Sequence, residues 1–134
     1  MSRIAEIEGI GAARAERLKE VGITTTEQLL TQGATARGRA DLAASTGISA
    51  NLILEWVNRA DLFRIDGIGE EFSDLLEAAG VDSVPELAQR NPASLHERLV
   101  ALNEEQKLVR RVPTVQQVTA WVDHAKRLPR IVEH

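Results

Sequence analysis

The 134-residue chain has no cysteine and no tyrosine. Without thiols it can form neither a disulfide nor a thiolate metal site, and it has no cysteine nucleophile, so core packing must hold it together. Aromatic residues make up 3% of the chain, namely Trp56, Phe63, Phe72 and Trp121. These are too few for a platform that stacks successive bases of a single strand. No apolar run approaches the roughly 18 residues needed to cross a bilayer, and Met1-Ser2-Arg3 leads into Ile4-Ala5-Glu6-Ile7-Glu8 instead of an apolar signal core. A cytoplasmic protein with no membrane partner is therefore expected. A basic excess is also missing. The formal net charge of -4 argues against indiscriminate coating of nucleic acid, because such proteins release counterions from phosphates with a surplus of cations. Any contact with DNA must be local.

What is present is ordinary globular material, 43% hydrophobic and 27% charged, long enough for one domain or two very small ones. The organising feature is an internal similarity. Ile7-Glu8-Gly9-Ile10-Gly11 and Ile65-Asp66-Gly67-Ile68-Gly69 carry the same pattern 58 positions apart, and the displacement continues through Leu18 and Leu76, Gly22 and Gly80, Thr25 and Ser83, and Leu29 and Leu87. Further along the register slips to 65, where Ser49, Ile53, Trp56, Val57 and Ala60 fall on Thr114, Val118, Trp121, Val122 and Ala125. The added residues fall in Asn103 to Pro113, a polar stretch ahead of a proline.

Helix signals agree between the copies. Thr25 with Gln28, Ser83 with Glu86 and Thr114 with Gln117 each fit a capping box, and Gly22 and Gly80 fit helix ends in a left-handed residue. Asn91-Pro92 fits a cap followed by a proline at the first helical position, with a partner helix at roughly Thr35 to Thr46, and the apolar spacing over Ser49 to Phe63 predicts a longer amphipathic helix. No segment alternates with period two. The expected fold is all-α, two tandem five-helix units at residues 1–61 and 62–134, the second packed against the first. Trp56 and Trp121, equivalent in the two copies, are expected as core anchors. Leu128-Pro129-Arg130-Ile131 either begins a third hairpin or is a frayed end.

A glycine–apolar–glycine turn between two short helices has a physical use. With no Cβ on either glycine, amides at the start of the next helix can approach a phosphate oxygen, and the helix dipole adds partial positive charge there. The middle isoleucine points inward and locks the turn. On these residues the sequence resembles the helix-hairpin-helix superfamily, whose hairpins hold DNA by its backbone with little sequence preference. More narrowly, Ile7 through Ile23, continuing through Leu42-Ala43-Ala44-Ser45-Thr46-Gly47-Ile48-Ser49 into the Trp56 helix, is similar to the amino-terminal domain of archaeal and eukaryotic recombinases. That likeness implies a small unit of about five helices, of SAM-like type. Recombinase activity is not implied, since no GxxxxGK[ST] phosphate loop occurs. The tandem arrangement resembles a bacterial family of uncharacterised helix-hairpin-helix proteins, which speaks to fold better than to function.

The two hairpins differ in charge. Gly9, Ile10 and Gly11 are followed by Arg14, Arg17 and Lys19, and these six residues are the candidate DNA-binding set, its charge diluted by Glu16 and Glu20. Gly67, Ile68 and Gly69 are followed by Glu70, Glu71, Asp74 and Glu77, so the second hairpin is expected to be structural and a weak candidate at most. Arg37 and Arg39, and Lys107, Arg110 and Arg111, could extend a footprint, although an ordinary solvated surface is the simpler account of them.

No catalytic constellation is legible. His96, His124 and His134 are scattered, no serine lies in a GxSxG context, and the adjacent acids Glu70-Glu71 and Glu104-Glu105 diverge by about 100° on a helix. The expectation is a protein that is not an enzyme and has no cofactor, metal or small-molecule substrate. Its function is then sequence-independent binding of duplex DNA through the first hairpin. The alternative is a protein-interaction or scaffold module whose partner docks near Phe72.

Overall fold

Short polar residues set where the helices begin. The Thr25 hydroxyl accepts from the Gln28 amide at 3.2 Å while the Gln28 side chain accepts from the Thr25 amide at 3.2 Å, a reciprocal box that satisfies two donors at a helix start. Thr114 and Gln117 form the same box at 3.1 and 2.8 Å. Ser83 provides only half of the expected one. Its hydroxyl accepts from the Glu86 amide, but the Glu86 carboxylate is drawn to Arg90 at 3.0 Å.

The computed structural model describes residues 3–7 and 9–133; Met1, Ser2, Glu8 and His134 lie outside the described residues, so the first motif's acid and the third histidine are not placed. A 3₁₀ turn at Ile4–Glu6 is followed by α1 (Gly11–Glu20), α2 (Thr26–Gly33), α3 (Ala36–Thr46), α4 (Ala50–Leu62), α5 (Glu70–Ala78), α6 (Val84–Ala88), α7 (Pro92–Gln106) and α8 (Val115–Arg127). Among the described residues there is no strand, only an isolated bridge between Arg3 and Thr25, and no helix is long and apolar enough to cross a membrane. The fold is all-α.

Two compact units divide the chain, one from the described residues of Met1–Asp61 and Arg130–His134, the other from Leu62–Pro129. The first contains the 3₁₀ turn, α1–α3 and α4 up to Asp61, the second α5–α8. A fifth helix is not found among the described residues of the second unit, because after Leu62 the chain turns at once. The Ile65 amide on the Leu62 carbonyl and the Ile68 amide on the Ile65 carbonyl, both at 3.1 Å, close short turns in this stretch, where Gly67 takes φ +90°.

Glycine ends two helices in equivalent fashion. The Ile23 amide donates to the Leu18 carbonyl at 2.9 Å across Gly22, and the Val81 amide to the Leu76 carbonyl at 2.8 Å across Gly80, with φ of +85° and +89° at the two glycines. Such ends satisfy carbonyls that the helix itself leaves without donors. Each unit has its own core. Leu18, Ile23, Ile53 and Val57 are fully buried in the first, and Leu75, Leu76, Leu87 and Val118 in the second. Trp56 and Trp121, both 2% exposed, anchor these cores.

The chain's end is built into the first unit and is not frayed through Glu133. Val132 is buried, the Glu133 amide donates to the Ala34 carbonyl at 2.7 Å, and Arg39 donates to the Glu133 carbonyl.

Candidate nucleic-acid interface

The turn before α1 is shaped by two glycines in a region that side chains disfavour, Gly9 at φ +94° and Gly11 at φ +67°. Apart from its chain neighbours and the nearby backbone of its own helix, nothing among the described residues lies within 4 Å of the place where a Cβ on Gly11 would stand. Between them Ile10 is 1% exposed and its amide donates to the Ile7 carbonyl at 3.4 Å. Ile10 therefore locks the turn, but its amide is engaged within the chain and drops out of the expected donor set. The donors that remain belong to the helix mouth. The first amides of a helix have no intrahelical acceptor, and Gly11, Ala12 and Ala13, which carry them, are exposed with no side-chain cap ahead of them.

The three expected cations do not converge on this mouth. Arg14 comes nearest. Its guanidinium donates to the Gly9 carbonyl at 3.0 Å and lies 5.8 Å from the centre of the Trp56 ring, so it braces the turn while staying exposed. Arg17 and Lys19 occupy the last turn of α1, roughly 9 and 12 Å along the axis from Gly11 at the usual helical rise. There they complement the negative end of the dipole. Arg17, three residues after Arg14, shares its edge of the helix. Lys19 is two residues beyond Arg17 and faces nearly the opposite way, at about 200°. The turn, Arg14 and Arg17 thus lie along one edge, and Lys19 lies off it.

In the second unit Gly67 is exposed at φ +90°, Ile68 is buried with its amide engaged, and Gly69 is extended and precedes α5. The exposed carboxyl residues Glu70 and Glu71 form the first turn of that helix. They stabilise its positive end and would repel a phosphate there. Behind the turn, the Trp121 indole Nε1 stands 3.1 Å from where a Cβ on Gly67 would lie, and the Asp66 amide donates to His124 Nδ1 at 3.3 Å. Phe72 is half-buried against Trp121, with ring centres 5.2 Å apart and tilted by 54°.

Of the other basic residues, Arg39 is excluded from any footprint. It is 5% exposed, and its guanidinium donates to the carbonyls of Gly33 at 2.8 Å and Ala34 at 3.1 Å as well as to Glu133, closing the carboxyl end of α2. Arg90 likewise bridges Glu86 and the Gly80 carbonyl. Arg37, Lys107, Arg110 and Arg111 remain exposed. The burial of Arg39 had no signal in the sequence, since Arg37 and Arg39 flank the same glycine and look alike. Among the described residues no group of three or more histidines and carboxylates could hold a metal ion.

The molecule is thus an all-helical protein whose conspicuous polar features are helix ends and the turns that feed them. The chain belongs to the DUF4332 family, a domain of unknown function, whose model matches residues 8–128. No solved structure matches the chain.

Proposed function

We propose that this chain is a non-catalytic module that binds duplex DNA through its phosphate backbone, without sequence preference, at the turn formed by Gly9 and Gly11, and that its two units are repeats of a helix-hairpin-helix motif. The repeat reading draws support from Gly9 and Gly67, each at positive φ beside an indole Nε1, and from the matched helix ends at Gly22 and Gly80. The observation that carries the binding reading is the contrast between two helix mouths. That of α1 is exposed, has no side-chain bulk and no acid in its first turn, and has Arg14 alongside; that of α5 has Glu70 and Glu71 in its first turn. An oxyanion gains from the amides and dipole at the first and is repelled at the second. Phe72, near which the alternative protein-docking face was expected, is half-buried against Trp121, which takes apolar area away from such a face.

The test places the acids of one mouth on the other. Ala12→Glu with Ala13→Glu puts carboxylates on exposed first-turn positions, where they favour the helix dipole by a few tenths of a kcal/mol or more and leave folding intact. Fluorescence anisotropy with short duplexes of unrelated sequence should show wild-type affinities that are alike and fall steeply with salt. The double variant should lose most of that affinity while its melting temperature holds or rises. Unchanged binding by the variant, or no wild-type binding at low salt, overturns the reading.

A further inference from the structure

The segment between α7 and α8 is shaped as carefully as the hairpins. α7 stops at Lys107, a non-glycine residue in the left-handed region at φ 50°, whose amide donates to the Asn103 carbonyl at 2.8 Å. Side chains adopt that conformation uncommonly. Two residues on, Asn103 holds the backbone of Val109 at both ends: its Oδ1 accepts from the Val109 amide at 2.9 Å and its Nδ2 donates to the Val109 carbonyl at 3.1 Å. Val109 itself is 6% exposed and Pro113 is buried, so the loop is fixed at three points.

Over those fixed points the chain displays Lys107, Arg110 and Arg111, all exposed. Among the described residues none of the three side chains has a hydrogen bond or ion pair, whereas Arg14, Arg39 and Arg90 are each committed to carbonyls or a carboxylate. Lys107 and Arg110 line an open depression of about 550 Å³ in which Glu71 is the one carboxylate among the described residues. Three cations within five residues, none of them in an ion pair among the described residues, repel one another, and a polyanion relieves that repulsion. Because the backbone is already fixed, less ordering cost opposes the contact.

We propose that Lys107, Arg110 and Arg111 form a second contact with the phosphodiester backbone of duplex DNA, on the second unit, in place of that unit's acidic hairpin. This rests on the reading that the chain binds DNA at all. A phosphate backbone fits better than an acidic protein segment because three of the five residues from Lys107 to Arg111 are exposed cations and Leu108 is the one exposed large apolar side chain among them.

The experiment is a titration of the full chain against a short labelled duplex between about 50 and 200 mM salt. For Lys107→Gln with Arg110→Gln and Arg111→Gln, the slope of log affinity against log salt should become shallower by about 2 to 3, with an unchanged circular dichroism spectrum. Asn103→Ala, which keeps every cation but releases the loop, should weaken binding several-fold; wild-type affinity in that variant would overturn the claim that the fixed loop matters. Wild-type affinity and slope in the triple variant would overturn the proposal and leave the hairpin reading standing. Loss in the triple variant with full affinity in Ala12→Glu, Ala13→Glu would leave the loop standing and remove the hairpin. If the wild type ignores duplex DNA but binds polyglutamate through this loop, both DNA assignments fall.

Discussion

Gly67 and Trp121 meet so closely that a Cβ on the glycine would stand 3.1 Å from the indole Nε1, at a residue whose φ is +90°. Two penalties add at this position: the strain of a side chain at positive φ, and the displacement of a tryptophan that is 2% exposed and has little room to yield. Gly67→Ala should therefore destabilise the protein by about 1–3 kcal/mol. Gly9, at φ +94°, has Trp56 Nε1 at 3.8 Å, an ordinary contact, so Gly9→Ala meets the strain alone. Urea unfolding of the two variants checks the order, and equal losses would show that Trp121 gives way freely.

Arg39 gathers the carbonyls of Gly33, Ala34 and Glu133 around one buried guanidinium. Arg39→Ala removes the guanidinium from all three carbonyls, of which Ala34 keeps the Glu133 amide, and should cost about 2–4 kcal/mol, within the range for unmaking a buried charged hydrogen-bond set. Arg39→Lys should recover only part of this, since an ammonium on a single stem cannot span the fork. A chain ending at Pro129 loses Val132 from the first unit's core and the Glu133 carbonyl from Arg39, so its effect should overlap with that of Arg39→Ala instead of adding to it. Thermal denaturation of the single and combined variants decides, and strict additivity would mean that the tail and Arg39 act separately.

A third close approach joins α2 to α4. A Cβ on buried Gly33 would lie 2.5 Å from Val57 Cγ2, a stiff β-branched side chain that is itself fully buried. Gly33→Ala should cost about 1–3 kcal/mol by overpacking. Val57→Ala removes the obstructing methyl, so the double variant should be more stable than the sum of the single losses allows, with a coupling of about 0.5 kcal/mol or more in a double-mutant cycle. No coupling would show that the two helices separate to admit the methyl.

Local chemistry was legible in the sequence where it acts through neighbours in the chain. The boxes at Thr25 and Thr114, the cap at Asn91 and the glycine helix ends at Gly22 and Gly80 depend on residues within a few positions of one another, and they lie where the sequence places them. What could not be read depends on partners far along the chain. Arg39 and Arg37 have the same local context, yet a carbonyl 94 positions away helps to bury the first. Glu86 departs from its box because Arg90 competes for the carboxylate. Lys19 looked like part of a basic cluster because it is near in sequence, but helical geometry turns it away from Arg17. At Asn103 the only sign was a polar residue near a helix end, which does not reveal that it would hold Val109 by both backbone groups.

The last prediction separates two roles of one residue. Arg14 lies over the Trp56 ring, and Phe72 packs against Trp121 with its ring tilted by 54°, so an aromatic ring in place of the guanidinium should keep contact with the tryptophan. Arg14→Phe then loses the bond to the Gly9 carbonyl, which is exposed and can turn to water, and the stability change should stay within about 1 kcal/mol. It also removes a cation from the edge of the α1 mouth. If Arg14 neutralises one phosphate, the salt slope of duplex binding should become shallower by about 0.9. Arg14→Lys keeps the charge on a more compact head group, so it should hold the slope and lose more of the contact with Trp56. A slope that is unchanged in Arg14→Phe, or a collapse of stability in that variant, would mean that the guanidinium serves the fold alone and leaves phosphate binding at the mouth of α1 to the amides.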